Sequence, residues 1–319
     1  MQVTVYREEE TTTAPAEALG QLLERDSQAV WVDLDRGRPG DLRALSEVFA
    51  FHPLAIEDAQ KTEQRPKVES YDGFLFITVH AARYDRGGQV ALDEIDIFFT
   101  RRAVVTVRAA GLAVMDEVRA RLAKAPGRLC RSSDFVLYTI LDTAVDTYFP
   151  VLDHIDDHVE RLEDHIFKRP TTRTLNSLFR TKRALLHTRR HVVPLRDTLN
   201  VLMRRESGLI TEQIIVYFRD IYDHVLRITD QIDTHRDLIA GTLEIYLSLV
   251  SNRLNEVMKV LTVITAIVGP LAVITGIYGM NFTRPFPAFE WPYGFPLIMG
   301  VMGAIVVGML ILFRRRGYL

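Results

Sequence analysis

Residues 260–281 read VLTVITAIVGPLAVITGIYGMN, and the organisation of the whole chain follows from this segment. Its first part, Val260 to Tyr278, is uncharged over about 19 residues. As an α-helix rising roughly 1.5 Å per residue it would be about 28 Å long, close to the roughly 30 Å hydrocarbon core of a bilayer. A second apolar run of similar length extends from Phe295 to Phe313. The sequence therefore predicts two membrane spans.

The positive charges beside these runs predict their orientation. Arg314–Arg316 follow the second run, and Arg253 and Lys259 precede the first, whereas the connecting segment carries only Arg284. Cytoplasmic flanks of membrane helices are enriched in Lys and Arg. We expect a multi-pass protein of the cell (inner) membrane with both termini in the cytoplasm. The first residues, Met1–Thr4, lack the pattern of a signal peptide.

Composition argues against several functional classes. The 319 residues carry a net charge of −2, which does not favour a nucleic-acid partner. The single cysteine, Cys130, allows no internal disulfide and suits a reducing compartment. No phosphate-cradling glycine loop or metalloprotease spacing is present, so we do not expect an enzyme.

The first 130 residues alternate between strand and helix patterns and predict a mixed α/β or α+β cytoplasmic domain. The expected strands are Val3–Tyr6, Ala29–Leu34, Gly73–His80, Asp93–Thr100 and Ala103–Val107, and the expected helices are Asp41–Phe51 and Leu112–Ala123.

Residues 131–207 predict a helical hairpin. A first helix, capped by Ser132 or Ser133, should run to about Phe167, and a second from about Thr174 to Arg204. The first is acidic and the second basic, which favours antiparallel pairing, although exposed ion pairs contribute little. Three histidines share one face of the first helix. They could chelate a transition metal, but surface or packing roles are favoured: His154, His158 and His165.

Residues 208–278 predict one very long stalk helix that continues into the first span, because no proline interrupts the sequence from about Thr211 to Pro270. About 68 residues at 1.5 Å each give a rod of roughly 100 Å, which suits a stalk in an oligomer. One face is apolar at spacings of three and four: Ile215, Phe218, Tyr222, Val225, Ile232, Ile239, Leu243, Tyr246 and Val250.

A second face of this helix, here called the polar seam, is polar below the membrane and small or hydroxylated within it. Several copies around an axis would line a water-filled path with it. In the span alone, helix–helix packing through small residues explains the pattern equally well. The polar seam comprises Asp230, Thr234, Asp237, Gly241, Glu244, Ser248, Ser251, Asn255, Met258, Thr262, Thr265, Gly269, Ala272 and Gly276.

The turn Tyr278–Asn281 resembles the Gly-Met-Asn hallmark of the CorA magnesium-transporter family, and it ends the first of two C-terminal spans as that family's motif does. The resemblance extends along the chain. Further matching stretches are His52–Leu54 with Glu57–Asp58, Gln64–Glu69, Tyr217–Asp220, and Ser251–Asn252 through Asn255–Lys259.

The resemblance implies a homopentamer with a funnel-shaped cytoplasmic domain. It implies a selectivity filter of Gly279, Met280 and Asn281, in which amide and carbonyl oxygens hold hydrated Mg²⁺. Such neutral oxygens bind Mg²⁺ without trapping it. Asn255 matches a second amide ring near the inner end of the pore. Met258 and Leu261 match an apolar gate, and Thr265, Gly269 and Ala272 would line the pore beyond it.

The resemblance also implies regulatory Mg²⁺ sites between neighbouring cytoplasmic domains. Asp58 and Asp220 match the main pair, and Asp142 and Glu57 match a second site. Glu244 stands where relatives carry an Asp. Two carboxylates brought together repel, so an intervening cation would stabilise a closed state, and its loss at low internal Mg²⁺ would open the pore. Ordinary surface charge is the alternative for each of these acids.

The predicted protein is thus a Mg²⁺ channel or transporter in the bilayer that conducts hydrated ions inward and possesses no nucleic-acid partner. Co²⁺ and Ni²⁺ are further candidate ions. A zinc transporter of the related two-span branch is an alternative, although Met280 speaks against it, and a two-span sensor or scaffold is another. The expected segments are 1–130, 131–207, 208–278 with the span at about 260–278, the outer loop 279–294, the second span 295–313 and a basic tail 314–319.

Overall fold

The computed structural model describes residues 1–6, 11–23, 29–85, 89–124, 132–204, 207–280 and 292–318. The chain divides into two compact units, Met1–Leu243 and Glu244–Leu319. Each unit is described separately below.

The first unit contains a sheet whose described strands follow the order β2-β1-β3-β7-β6-β5-β4. Neighbours are antiparallel except β3 and β7, which are parallel. All five predicted strands are present, with bounds shifted by a few residues. The strands are β1 Gln2–Tyr6, β2 Thr11–Ala14, β3 Ala29–Asp35, β4 Lys67–Tyr71, β5 Phe74–Tyr84, β6 Val90–Thr100 and β7 Ala103–Arg108.

The two strands missing from the prediction, β2 and β4, form the edges of the sheet. Their sequences, TTTA and KVESY, are short and mostly polar, and neither contains a fully buried side chain. An edge strand with little buried surface lacks the apolar alternation that identifies a strand. Lys67, the first residue of β4, forms an ion pair with Asp58, one of the predicted regulatory acids.

Short helices cover the sheet and complete its core. Phe51 stacks on Phe98 with ring centroids 4.3 Å apart and contacts Phe74 at 5.0 Å. His52 caps the helix that carries two predicted regulatory acids, since its Nδ1 accepts a hydrogen bond from Leu54 N at 3.2 Å. These helices are α1 Leu19–Leu23, α2 Pro39–Phe49, α3 Pro53–Gln60 and α4 Val114–Lys124, with a 3₁₀ turn at Ala16–Ala18.

The single helix predicted from Ser132 or Ser133 to Phe167 is wrong, because the chain forms two helices, α5 Ser133–Asp146 and α6 Tyr148–Lys168. Pro150 lies in the first turn of α6 and has no N–H to donate back to Asp146. Ser132 is the N-cap residue but makes no side-chain capping bond, and Ser133 Oγ instead donates to Arg101 O at 2.7 Å.

Thr147, between the two helices, connects them to the sheet. Its Oγ1 accepts a hydrogen bond from Ala82 N at 2.8 Å and donates to Ala144 O at 2.6 Å. Strand β4 pairs with β5 only as far as Thr78. Thr147 therefore satisfies a backbone N–H of β5 beyond the end of its neighbouring strand.

Helix α7, Thr172–Arg204, follows α6 after three residues and completes the predicted hairpin. In the described part of the chain, the ion pairs of these helices run to the long helix rather than across the hairpin. Arg189 Nε lies 2.9 Å from Asp233 Oδ1, and His235 Nδ1 lies 3.4 Å from Asp156 Oδ1. Among the described residues, no ion pair between α6 and α7 accounts for their packing, contrary to what their opposite charges suggested.

Helix α8 confirms the prediction of one long helix. It runs from Ile215 to Tyr278 with Pro270 inside it, after a 3₁₀ turn at Glu212–Ile214. Within the first unit, Phe218, Val225, Ile232 and Ile239 are buried as predicted. The prediction missed a second buried row, Ile214, Ile221 and Ile228, and several predicted apolar positions are only half-buried: Ile215, Tyr222, Leu243 and Val250.

Three described helical segments are long and apolar enough to cross a membrane. In Ser133–Lys168, 67% of the most apolar window is buried inside the protein, so the soluble core accounts for its hydrophobicity. The corresponding share is 6% in Glu212–Tyr278 and 0% in helix α9, Gly294–Arg315. Apolar surface left unburied on this scale is typical of lipid or subunit contact.

Candidate ion pathway and regulatory acids

The Gly-Met motif lies at the C-terminal end of α8. Gly279 N donates to Thr275 O at 2.9 Å, and Met280 N donates to Ile277 O at 3.3 Å. A Cβ added at Gly279 would lie 3.2 Å from Thr275 O, closer than most side chains tolerate, which favours glycine here. The Met280 side chain is exposed. Asn281, the third predicted filter residue, lies outside the described residues.

The cytoplasmic half of the polar seam is exposed. Asp230, Thr234, Asp237 and Gly241 lie on the solvent side of α8 in the first unit. Glu244, the first residue of the second unit, is also exposed and forms no ion pair among the described residues. A row of polar side chains left uncovered by its own chain is compatible with a water-facing surface.

The membrane half of the polar seam is exposed in the single chain as well. Asn255, Met258, Thr265 and Ala272 are exposed, and Gly269 is half-exposed. Leu261, the second predicted gate residue, is not a member of the seam and is exposed as well. Val260, which is not in the seam, has the same exposure as Met258, 59%. Exposure in one protomer therefore does not distinguish a pore-facing residue from a lipid-facing one.

Asp58 and Glu57, both on α3, are paired with lysines. Lys67 Nζ lies 2.5 Å from Asp58 Oδ2 and 2.8 Å from Glu69 Oε1. Lys61 Nζ lies 2.6 Å from Glu57 Oε1 one turn along the helix. Burial opposes the charge of Lys67, but its hydrogen bonds to Asp58 and Glu69 raise its pKa. Neither acid is a bare carboxylate in the single chain.

Asp220 is instead brought to Asp142. One ligand atom each of Asp142, Asp220 and His224 lie within 4.8 Å of one another, the one group of this kind in the described part of the chain. Asp142 comes from α5, and Asp220 and His224 are one turn apart on α8. This acid–histidine cluster joins two of the predicted acids, and Asp58 is not part of it.

The surroundings of the acid–histidine cluster oppose its negative charge only in part. Arg121 Nη1 lies 2.9 Å from Asp142 Oδ2, and Arg121 Nη2 lies 2.9 Å from Asp146 Oδ2. Burial, followed by the nearby Asp146 carboxylate, raises the pKa of Asp142 to about 6 in spite of Arg121. A bound cation would relieve this cost of keeping Asp142 ionised.

The donor set of the acid–histidine cluster fits a divalent cation. Mg²⁺ prefers the carboxylate oxygens, whereas an imidazole nitrogen suits Co²⁺, Ni²⁺ and Zn²⁺. His224 was missed in the sequence analysis. Its position four residues after Asp220 places both on one helix face, and that spacing was the available signal.

The three histidines of α6 do not form a common metal site in the described residues. His158 Nε2 lies 3.1 Å from Ser177 Oγ, and His165 Nδ1 lies 2.6 Å from the carbonyl of Arg161. The His154 ring packs against Tyr84 at 4.7 Å. Each histidine has a separate local contact, in agreement with the surface and packing roles favoured from the sequence.

The fold and these features define a class, an integral membrane protein with an α+β soluble domain, a helical hairpin and two C-terminal apolar helices. The chain belongs to the CorA family, since the family's sequence profile, described as CorA-like Mg²⁺ transporter protein, matches residues 26–315. The resemblance drawn from the sequence is thus confirmed.

Relatives and solved structures agree with this assignment. The cobalt/magnesium transport protein CorA of Thermotoga maritima is 37% identical over 299 residues, covering 92% of this chain and 85% of that protein. The putative metal ion transporter YfjQ of Bacillus subtilis is 35% identical, covering 90% and 89%. The complete CorA magnesium transporter structure from Methanocaldococcus jannaschii has a TM-score of 0.86 at 23% identity, covering 100% and 99%, and supports the fold.

Proposed function

We propose that this protein is a Mg²⁺ channel or transporter that conducts the hydrated ion inward across the cell membrane. The observation that carries the proposal is the match to a Mg²⁺-transporter family over residues 26–315, which includes both unburied apolar helices. A relative 37% identical over most of both chains is a cobalt/magnesium transport protein, which supports Co²⁺ as a second ion. Ni²⁺ is a further candidate.

The proposed conduction path is an assembly of five copies of α8 around a central axis. Gly279, Met280 and Asn281 form the outer filter, and Asn255 forms an amide ring near the inner end. The apolar side chains of Met258 and Leu261 close the path by excluding water. Beyond them the pore is lined by Thr265, Gly269 and Ala272. The uncovered cytoplasmic half of the polar seam supports this arrangement.

The proposed gate is controlled by internal Mg²⁺. In the closed state one ion lies between neighbouring protomers, held by Asp58 of one and Asp220 of the next. Asp142 and Glu57 are candidates for a second such site, and Glu244 is a further candidate regulatory acid. The acid–histidine cluster supports this proposal, because it gives Asp220 an ion-binding environment within one chain. Loss of the ion restores repulsion between the carboxylates and opens the pore.

The proposed orientation has both termini in the cytoplasm. Arg314 and Arg315, in the last turn of α9, and Arg253 and Lys259 on α8 support it. The zinc alternative receives less support, since Met280 differs from the Ile that is typical of that branch, although His224 offers a nitrogen ligand.

Uptake into proteoliposomes tests the proposal. Purified full-length protein is reconstituted, a Mg²⁺-sensitive dye is enclosed, and Mg²⁺, Co²⁺, Ni²⁺ or Zn²⁺ is added outside. We expect saturable Mg²⁺ entry above that of protein-free liposomes. Entry of Zn²⁺ alone would favour the zinc alternative, and entry of none of these ions would contradict the proposal.

A further inference from the structure

A cleft of about 970 Å³ lies in the first unit, between the hairpin helices α6 and α7 and the neighbouring ends of β5 and β6. Small-molecule sites are typically clefts of about 300–1,000 Å³. The cleft is separate from the acid–histidine cluster, because the two share no lining residue. We refer to it as the basic cleft.

The walls of the basic cleft carry one sign of charge. Among its described lining residues there is no Asp or Glu, although the whole chain has 41 acidic residues against 39 basic ones. Both helices contribute, and the ionisable groups that face the cleft from them are Arg161, His154, His158, Arg180, Arg183 and His187.

The terminal guanidinium nitrogens of the three arginines are available for an anion, whereas Arg183 Nε donates to Phe179 O at 3.3 Å. No ion pair of Arg161, Arg180 or Arg183 is found in the part of the chain that the structure describes, whereas Arg189 on the same α7 helix pairs with Asp233. Arg180 and Arg183 lie three residues apart, so they project from one face of α7. This is the basic surface that the sequence predicted would pair with acidic α6.

The basic groups that line the cleft repel one another. The pKa of His158 is lowered by burial, and further by the charges of Arg161 and His154. An electropositive cleft that its own chain does not neutralise gains most from a polyvalent anion. Arginine forks match phosphate oxygens in pairs, which makes phosphate groups the fitting chemistry.

One end of the basic cleft is aromatic. The Tyr84 ring lies 4.7 Å from the His154 ring, and the Tyr84 hydroxyl donates to Val151 O at 3.1 Å, which fixes the orientation of the ring. Both rings line the cleft. A planar group stacked on these rings would hold its attached phosphates in the same cleft that the arginines line.

We propose that the basic cleft is a binding site for a nucleoside polyphosphate, with Arg161, Arg180 and Arg183 contacting phosphates and Tyr84 and His154 stacking on the base. The inference concerns binding to the cytoplasmic hairpin and does not depend on the proposed ion transport. Its readout is therefore ligand affinity rather than flux.

Isothermal titration calorimetry of the full-length protein in detergent tests the site. ATP and inorganic tripolyphosphate are titrated in EDTA, so that capture of metal ions cannot produce the heat. We expect saturable ATP binding, with tripolyphosphate weaker because it cannot stack. In Arg180→Glu/Arg183→Glu, ATP binding should weaken about tenfold or more, since each lost charged hydrogen bond costs roughly that factor.

The matched control is Arg173→Glu/Arg190→Glu, which makes the same charge change at two exposed positions of α7 outside the cleft. It should keep wild-type affinity, and circular dichroism confirms that both variants fold. Absence of saturable binding by wild type, or equal weakening in both double variants, would overturn the proposal. Tripolyphosphate binding as tightly as ATP would overturn the stacking role of Tyr84 and His154.

Discussion

Lys67 Nζ lies 2.5 Å from Asp58 Oδ2, so an ammonium group already neutralises the carboxylate that we propose holds the regulatory ion. Lys67 and a metal ion compete for the same oxygen. Both side chains are about a quarter exposed, so solvent screens the pair and its strength is modest. We therefore expect Lys67 to weaken ion binding at the proposed regulatory site rather than abolish it.

The first prediction is that Lys67→Met increases sensitivity to internal Mg²⁺. A partly exposed pair contributes up to about 1 kcal/mol, so the Mg²⁺ concentration for half-inhibition should fall up to about fivefold. The measurement is Mg²⁺ flux in proteoliposomes loaded with graded internal Mg²⁺.

Matched variants define the outcome of that measurement. Asp58→Ala/Asp220→Ala should weaken inhibition, and Glu47→Ala, an exposed acid on α2, should leave it unchanged. Unchanged inhibition in the double variant would sink the proposed gating role of these two acids.

The second prediction concerns the pH dependence of stability at Asp142. Its pKa is raised from 3.8 to about 6, mainly by burial and then by Asp146. The folded state therefore favours the protonated acid, and the stability linked to it is full below about pH 3.8 and is lost as pH rises through 6. Asp142→Asn has no carboxyl group to titrate here and therefore lacks this loss. Its free energy of unfolding relative to wild type should increase by about 1 kcal/mol from pH 5 to pH 7.5, after allowance for solvent screening.

Thermal unfolding of both proteins in EDTA at the two pH values measures this effect. The chelator keeps metal ions from stabilising the wild-type carboxylate. A stability difference between variant and wild type that does not change with pH would show that Asp142 titrates normally.

The third prediction tests the junction between α5 and α6. Thr147→Val removes the acceptor of the Ala82 N–H and should destabilise the protein by about 1–3 kcal/mol, the cost of leaving a buried donor unpaired. Thr143→Val is the control, since among the described residues the Thr143 hydroxyl donates to Thr139 O within its own helix and to no other group. Chemical unfolding measures both, and equal destabilisation would mean that the Ala82 bond is unimportant.

The fourth prediction concerns the apolar gate. Met258→Asn or Leu261→Asn should wet the constriction and increase Mg²⁺ flux several-fold at high internal Mg²⁺. Val260→Asn is a matched control, because Val260 has the same exposure as Met258 and is assigned neither to the polar seam nor to the gate. If Val260→Asn increased flux as much as the two gate variants, the assignment of Met258 and Leu261 would be wrong.

The sequence was sufficient for the features that depend on local pattern. The uncharged run from Val260 to Tyr278 requires a helix of membrane length, and the absence of proline before Pro270 predicts the continuous α8. The central strands were equally clear, because residues such as Phe76 and Val105 belong to nearly unbroken apolar runs.

Features that depend on tertiary contacts could not be predicted in the same way. Strand β4 is a polar edge strand that the sequence pattern does not identify. The pairing of Lys67 with Asp58 depends on the position of this strand, so it could not be predicted either. His224 becomes a candidate metal ligand only because α8 packs against α5 and brings it close to Asp142. The break at Thr147 had a local cause in Pro150, which the sequence analysis overlooked.

The most direct test of the proposed function is Mg²⁺ uptake into proteoliposomes by wild type, Asn281→Ala and Thr275→Ala. Thr275 is near the motif, but its hydroxyl bonds to the Leu271 and Ala272 carbonyls of its own helix. We predict saturable uptake by wild type and Thr275→Ala. Uptake should fall about tenfold or more in Asn281→Ala, because this variant lacks the side-chain amide that we propose contacts the hydrated ion. Equal Mg²⁺ uptake by wild type and Asn281→Ala would contradict the proposed role of Asn281 in the filter. No uptake by wild type above that of protein-free liposomes would contradict the proposed Mg²⁺ transport.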